Sequence, residues 1–329
     1  MDRALVIGGT RFIGRHLVEE LLATDYAVTL FNRGNHENPF EEDDRVDHVP
    51  GDRTDEAAVE HVAETVDPDY VFDVVAYHPR DVAHATRVFE DVDGYVFVSS
   101  GAAYAAEVIP KREDETPIRA CTPDQAVDDS GDTYGNRKAE GDREIQRAAD
   151  RGVRAMSVRP PIVYGPHDYT ERLDYWLDRV ATQDRIVVPG DGTNVWQRAY
   201  VEDIARGMRI VAEHGAAGEW YNVADRNAVT IDRMVEVIAA AMDETVEVVH
   251  ASDRELSIAG LESTDFPLYR RHPHLLSTAK LAALGWDSTP VSAAMERTAA
   301  EHLDSDRDGR QNGPARADEE QLLDVLETV

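Results

Sequence analysis

The sequence predicts a doubly wound α/β fold, a parallel sheet covered on both faces by helices. Three observations predict it. Short apolar strand-like runs alternate with helix-like runs through the first 150 residues, which implies parallel strands joined by crossover helices. A glycine-rich turn joins the first strand to the first helix. The residues able to do chemistry fall at the carboxyl ends of strands, where such sheets bind ligands.

Each element has its own signal. Residues 4–7, Ala4-Leu5-Val6-Ile7, read as a short buried strand. Ile13, Leu17, Val18, Leu21 and Leu22 then fall at helical spacing. Between them run Gly8, Gly9, Thr10, Arg11, Phe12, Ile13 and Gly14, at the point where backbone N–H groups and a helix N-terminus can hold a phosphate. Gly8 is expected to permit the tight turn, Gly9 to leave the backbone open to a ligand, and Gly14 to bring helix and strand together. Arg11 stands where the spacing G-x-x-G-x-x-G would place its middle glycine.

Residues 27–31 read as the second strand, ending at Asn32 and Arg33. An acidic side chain at this point accepts hydrogen bonds from an adenosine ribose, and here there is none. Arg33, with Arg11, is suited to a 2′-phosphate, which leans the cofactor from NAD towards NADP; as a bare turn residue Arg33 would simply be solvated. Residues 35–45 read as a polar loop and 46–49 as a strand. Asp52 follows, as an acceptor for adenine or as a turn residue, with Arg53 beside it. Thr54 or Asp55 caps a helix over 56–66. A strand over 70–76 ends at Ala76. A helix spans 78–91, and a strand over 95–100 ends in Ser99 and Ser100, whose side chains point to opposite faces.

Bulk composition narrows the function. The chain has 329 residues, 65 acidic against 34 basic, and a net charge of −31. A polyanion repels nucleic acid and anionic membrane, so a nucleic-acid partner is not expected. Only Lys111, Lys138 and Lys280 are lysine, and this acidic, lysine-poor composition predicts a salt-adapted, halophile-like surface. The lone cysteine, Cys121, excludes an intrachain disulfide. Nothing reads as a signal peptide or a membrane span, so a soluble cytoplasmic protein is expected.

The second chemical feature is Tyr134 and Lys138. The segment 134–149 reads as helical, and residues four apart share a face. A free phenol, with a pKa of about 10, is a poor acid–base catalyst at neutral pH. An adjacent ammonium favours the phenolate and lowers that pKa. Ser100 would hold a substrate oxygen beside Tyr134 while a nicotinamide gives or takes a hydride. With 12 tyrosines and three lysines, chance supplies about 0.1 instances of this spacing.

With these residues in hand, the chain resembles the extended, epimerase/dehydratase-like branch of the short-chain dehydrogenase/reductase superfamily, in a sub-branch carrying Gly-Gly-Thr-Arg-Phe. The resemblance runs from Ala4 to about His302. It rests on Gly8 to Gly14, Asp52-Arg53, Ser100 and Tyr134/Lys138, and on later landmarks such as Arg159-Pro160-Pro161-Ile162-Val163-Tyr164-Gly165-Pro166 and Tyr200-Val201-Glu202-Asp203. It implies a Rossmann NAD(P)-binding domain mainly over 1–165, in which Ala76 and Pro160 also meet the cofactor. It implies a substrate domain mainly over 166–303, with some segments returning to the first. Catalysis would rest on Ser100, Tyr134 and Lys138, with no metal, on a small-molecule substrate, in a homodimer. Nucleotide-sugar members often have asparagine where Ile162 stands and arginine near Trp196. Ile162, Arg198 and Arg270 are therefore the positions at which a substrate contact is expected; Arg270 equally suits a polar loop.

Epimerase, dehydratase and NADPH-dependent carbonyl reductase share this residue set and stay open. A non-catalytic dinucleotide-binding or RNA-associated scaffold is the reading of another class. Further helices are expected over 169–182, 201–213, 231–242 and 291–303. Residues 304–317, with almost no apolar side chains, are expected as a flexible linker before a short helix over 321–326.

Overall fold

The computed structural model describes residues 1–327. Its eleven strands are β1 (Arg3–Ile7), β2 (Ala27–Asn32), β3 (Val46–Pro50), β4 (Tyr70–Asp73), β5 (Gly94–Val98), β6 (Ala155–Arg159), β7 (Ile162–Tyr164), β8 (Arg185–Pro189), β9 (Arg198–Tyr200), β10 (Trp220–Asn222) and β11 (Glu247–Ala251). The chain divides into two compact units. The first comprises Met1–Pro161, Val201–Ala224 and Leu276–Ser288; the second comprises Ile162–Tyr200, Asp225–Leu275 and Thr289–Val329.

The first unit is built on a seven-stranded sheet in the order β10-β6-β5-β4-β1-β2-β3, with every pairing parallel. Its strands are short and apolar because both faces are covered. Leu5, Ile7, Val71, Tyr95 and Phe97 face one way and form a core with Val59 and Val62, Val82 and Ala85, and Ile145 and Ala148 from the helices Glu56–Val66, Pro79–Val88 and Tyr134–Asp150. The alternate residues Val6, Leu30, Phe72 and Val96 are also fully buried. Helices Phe12–Ala23 and Val201–His214, which pack on each other, cover that side.

The sheet reverses its order at β1, between β2 and β4, and such a switch point opens a crevice at the carboxyl ends of the strands. β4 ends at Asp73, three residues short of the expected end. The Asp73 carboxylate accepts from Val75 N at 3.3 Å and turns the chain out of the sheet.

The second unit holds two parallel strand pairs, β7 with β9 and β8 with β11. Its helices Asp174–Thr182, Ile231–Met242 and Val291–Leu303 pack together. The first of these starts five residues later than expected. Residues 304–317, expected as a flexible linker, are instead held by polar contacts: Arg307 bridges Asp174 and Glu301, and Asn312 donates to Thr170 O at 2.9 Å. The terminal helix, Arg316–Glu327, is longer than expected, and Leu322 and Leu323 are buried. No helix among the described residues is long and apolar enough to cross a membrane.

Candidate active site

The glycine turn is fastened to the end of β2. Gly8 N donates to Phe31 O at 3.0 Å, and Asn32 Nδ2 donates back to Gly8 O at 2.9 Å. Gly8 and Gly9 have φ of +115° and +98°, which favour glycine. Gly9 has a packing reason the sequence reading lacked: a Cβ there would lie 2.5 Å from Leu30 Cδ2. A Cβ on Gly14 would lie 2.7 Å from Gly9 N, so only glycine lets the helix start this close to the turn. Thr10 and Arg11 lead into that helix, with Phe12 and Gly14 buried and Ile13 partly so. The helix has no side-chain cap at its N-terminus, as suits an end that receives an anion.

Past β2 the charges sort themselves. Asn32 is occupied at both ends, since its Oδ1 accepts from Gly34 N at 2.9 Å and lies 3.2 Å from His48 Nε2. Arg33 is exposed, and exposed Arg11 reaches His36, Nη1 to Nε2 at 3.3 Å. Asp52 accepts from the Thr54 N–H and hydroxyl, which with help from Arg33 hold its carboxyl below the usual range. Arg53, expected beside the cofactor, is turned inward and buried: it pairs with Asp73 and donates to Asp81 O at 3.3 Å.

At the carboxyl ends of β4 and β5 lies Lys138, only 3 % exposed. Its ammonium donates to Ala76 O and Val98 O, each at 2.8 Å. An ammonium has three donors, so one remains for a ligand. The rings of Phe97, Tyr77 and Tyr134 surround Nζ at 4.7, 5.3 and 5.7 Å from their centroids. Burial pulls the Lys138 pKa down to about 8; the carboxylates of Asp73 and Asp142 oppose that shift, and Arg137 and Arg53 add to it.

Tyr134 opens its helix and is half-buried. Ser100 is buried, its Oγ accepting from Ala102 N at 3.1 Å. Ser99 points inward and donates to Asp142 Oδ2 at 2.8 Å. Pro160 O accepts from Gly101 N at 2.7 Å, tying the end of β6 to the serine turn. Ala76, Ser100, Tyr134 and Lys138 thus gather on one edge of the sheet.

Sequence reasoning missed Asp73, Tyr77, Asp142 and Arg159. Asp73 accepts from Arg53 and from the Tyr95 hydroxyl at 2.9 Å. Its one signal was an acid inside an apolar strand; that of Asp142 was its place one turn beyond Lys138 on the same helical face.

In the second unit, Ile162 is buried in β7 and registered against Arg198 in β9. Arg198 Nη2 donates to Val229 O at 3.2 Å, while its buried Nη1 has no hydrogen-bond partner. Burial works against the Arg198 charge, and Asp225 supports it. Arg270 lies over the Trp196 ring at 5.4 Å.

Comparison with known proteins decides the family. The model of the NAD dependent epimerase/dehydratase family matches residues 4–224. The chain belongs to that family.

Curated proteins similar to it include the chloroplast stem-loop binding protein of 41 kDa b of Arabidopsis thaliana, 26 % identical over 86 % of this chain and 74 % of that one. The low-salt glycan biosynthesis protein Agl12 of Haloferax volcanii is 24 % identical over 86 % of this chain and 92 % of its own. Among solved structures, dTDP-glucose 4,6-dehydratase of Bacillus anthracis in complex with NAD superposes with a TM-score of 0.73, at 18 % identity, over 93 % of this chain and 98 % of that one. UDP-glucose 4-epimerase of Thermotoga maritima superposes with a TM-score of 0.71, at 20 % identity, over 92 % and 99 %. These likenesses carry the Rossmann fold. The glycine cradle, the uncapped helix end and the third Lys138 N–H fit a nicotinamide dinucleotide, the cofactor of the family.

Proposed function

We propose that this family member catalyses hydride exchange at a hydroxyl-bearing carbon of a nucleotide sugar. The observation that carries it is the convergence of Ser100, Tyr134 and Lys138 on the strand ends beside the glycine turn. Bound NAD(P) supplies the group that accepts or returns a hydride. The Ser100 hydroxyl holds the reacting oxygen, and Tyr134 takes or gives its proton. Lys138 favours the phenolate through space and uses its remaining N–H on the nicotinamide ribose. Ala76 and Val98 fix the ammonium by their carbonyls.

The second unit, taken by itself, offers cations suited to an anionic group. In a protein of net charge −31, the second unit keeps a buried arginine, Arg198, with an unpartnered Nη1, and places Arg270 over Trp196. Both suit a diphosphate. Among the relatives are dTDP-glucose 4,6-dehydratases, such as that of Streptomyces griseus at 26 % identity.

The cofactor is NADP in this reading. Arg11 in the glycine turn and Arg33 after β2 are exposed cations, and Asn32, tied to Gly8, Gly34 and His48, has no free oxygen for a ribose diol. The surface is salt-adapted, the protein acts in the cytoplasm, and a dimer is its working form. A stem-loop-binding role is named for one relative; the acid excess here disfavours it.

The test is turnover. Purified protein is incubated with NAD⁺ or NADP⁺ and a panel of UDP- and dTDP-sugars, with product sugars resolved by chromatography. Conversion of one sugar, lost in Tyr134→Phe, supports the reading; no conversion of any sugar contradicts the substrate class.

A further inference from the structure

Lys138 is a charge in a dry place. It is 3 % exposed, and apart from two backbone carbonyls its nearest neighbours are aromatic rings. A buried ammonium loses its hydration and drifts towards the neutral amine unless carboxylates stand nearby. The groups that face it are Asp73 from the end of β4, Arg53 from the turn after β3, and Arg137 and Asp142 from its own helix.

Asp142 differs from the others in its reach. It lies four residues beyond Lys138, eight beyond Tyr134, and on the same helical face. Its carboxylate is fully buried and engaged on both oxygens. Oδ2 accepts from Ser99 Oγ at 2.8 Å and Arg159 Nε at 2.9 Å, and Oδ1 accepts from Ser157 Oγ at 2.7 Å. Ser99 directly follows β5 and is the chain neighbour of Ser100; Ser157 and Arg159 lie in β6. One carboxylate therefore joins the helix of Tyr134 and Lys138 to the strand end that carries Ser100. Arg159, whose guanidinium sits between the Tyr104 and Trp220 rings at 4.8 and 4.2 Å, closes the cluster from the far side.

We propose that Asp142 is a positioning residue, which clamps this helix to β5 and β6 and holds the Lys138 side chain in its ammonium form. The proposal rests on the roles given above to Tyr134, Lys138 and Ser100. The helix has no side-chain cap to fix it, so these buried contacts set its register on the sheet. A neutral amide at 142 would keep the shape and lose the charge.

The chain's three lysines make the test direct. Protein grown on lysine labelled with ¹³C at Cε gives three resonances, and Lys138→Met assigns the one of interest. In wild type that signal is expected to titrate with a midpoint of about 8. In Asp142→Asn the midpoint is expected to fall by about one unit. Ser99→Ala/Ser157→Ala removes two hydrogen bonds and leaves the charge; it is expected to lower Tm with the midpoint in place.

An unchanged midpoint in Asp142→Asn overturns the proposal. So does an equal fall in the double serine variant, which would make the effect one of packing. If Asp142→Asn does not fold because Arg159 is left unpaired, Asp142→Asn/Arg159→Met removes both charges, and a smaller fall is expected, since loss of the Arg159 cation offsets part of the loss of the carboxylate. The titration needs no substrate. Full turnover in Tyr134→Phe would refute the catalytic reading while leaving this result standing, so the two failures are separable.

Discussion

The Lys138 ammonium donates a 2.8 Å hydrogen bond to the carbonyl of Ala76, three residues past the end of β4. This bond fixes a buried charge at the edge where the candidate catalytic groups gather. Burying that charge also has a measurable cost. The folded-state pKa of Lys138 is about 8, against 10.5 for an ordinary lysine.

The sign follows from proton binding. Between those two values the unfolded chain holds more protons than the folded one, so this group's contribution to stability rises with pH. The cost is fully present below pH 8 and relieved near 10.5. Relative to Lys138→Met, wild type is expected to gain about 3 kcal/mol across that window. Urea unfolding of both proteins at a series of pH values measures the difference. A flat difference would contradict the burial argument.

Gly14→Ala places a Cβ 2.7 Å from Gly9 N, against backbone that cannot rotate away. The turn or the helix must shift, at a cost of about 1–3 kcal/mol. The expected outcome is a lower Tm together with weakened dinucleotide binding, read by quenching of protein fluorescence. A variant with wild-type affinity would separate the turn from the cofactor.

Arg33 is expected to read a 2′-phosphate. Arg33→Asp is predicted to weaken NADPH binding by roughly 10- to 100-fold, the worth of a charged hydrogen bond, and to spare or improve NADH binding. Equal losses for both dinucleotides would remove the discrimination from this residue.

Much of the fold was legible because its signals are local. The helices Glu56–Val66, Ile231–Met242 and Val291–Leu303 have the expected ends. The first two begin at capping residues, Asp55 accepting from Ala57 N and Thr230 from Arg233 N. Tyr134 and Lys138 were legible for the same reason, since their spacing on one helix needs no tertiary contact. Arg53 was not. An arginine after a strand reads as a ligand contact, and only the fold brings Asp73 and Asp81 to it. Residues 304–317 look like a linker by composition, yet Arg307 holds them through Asp174, 133 positions away in sequence. The helical spacing puts Asp142 on the face of Lys138, but nothing in the sequence shows that it is buried; its meaning appears once β5 and β6 lie beside it.

The net charge of −31 makes self-repulsion a large term at low ionic strength. Tm is expected to rise as KCl is increased from millimolar to molar. A Tm highest without salt would refute a salt-adapted surface.

The most direct test of the central claim compares wild type with Tyr134→Phe and Lys138→Met, each loaded with dinucleotide and mixed with the nucleotide sugar that wild type converts. The nicotinamide absorbance band follows hydride transfer. Rapid transfer is expected in wild type, and a loss of about 10²- to 10⁴-fold in Tyr134→Phe with dinucleotide binding retained. Undiminished transfer without the Tyr134 hydroxyl would contradict the claim.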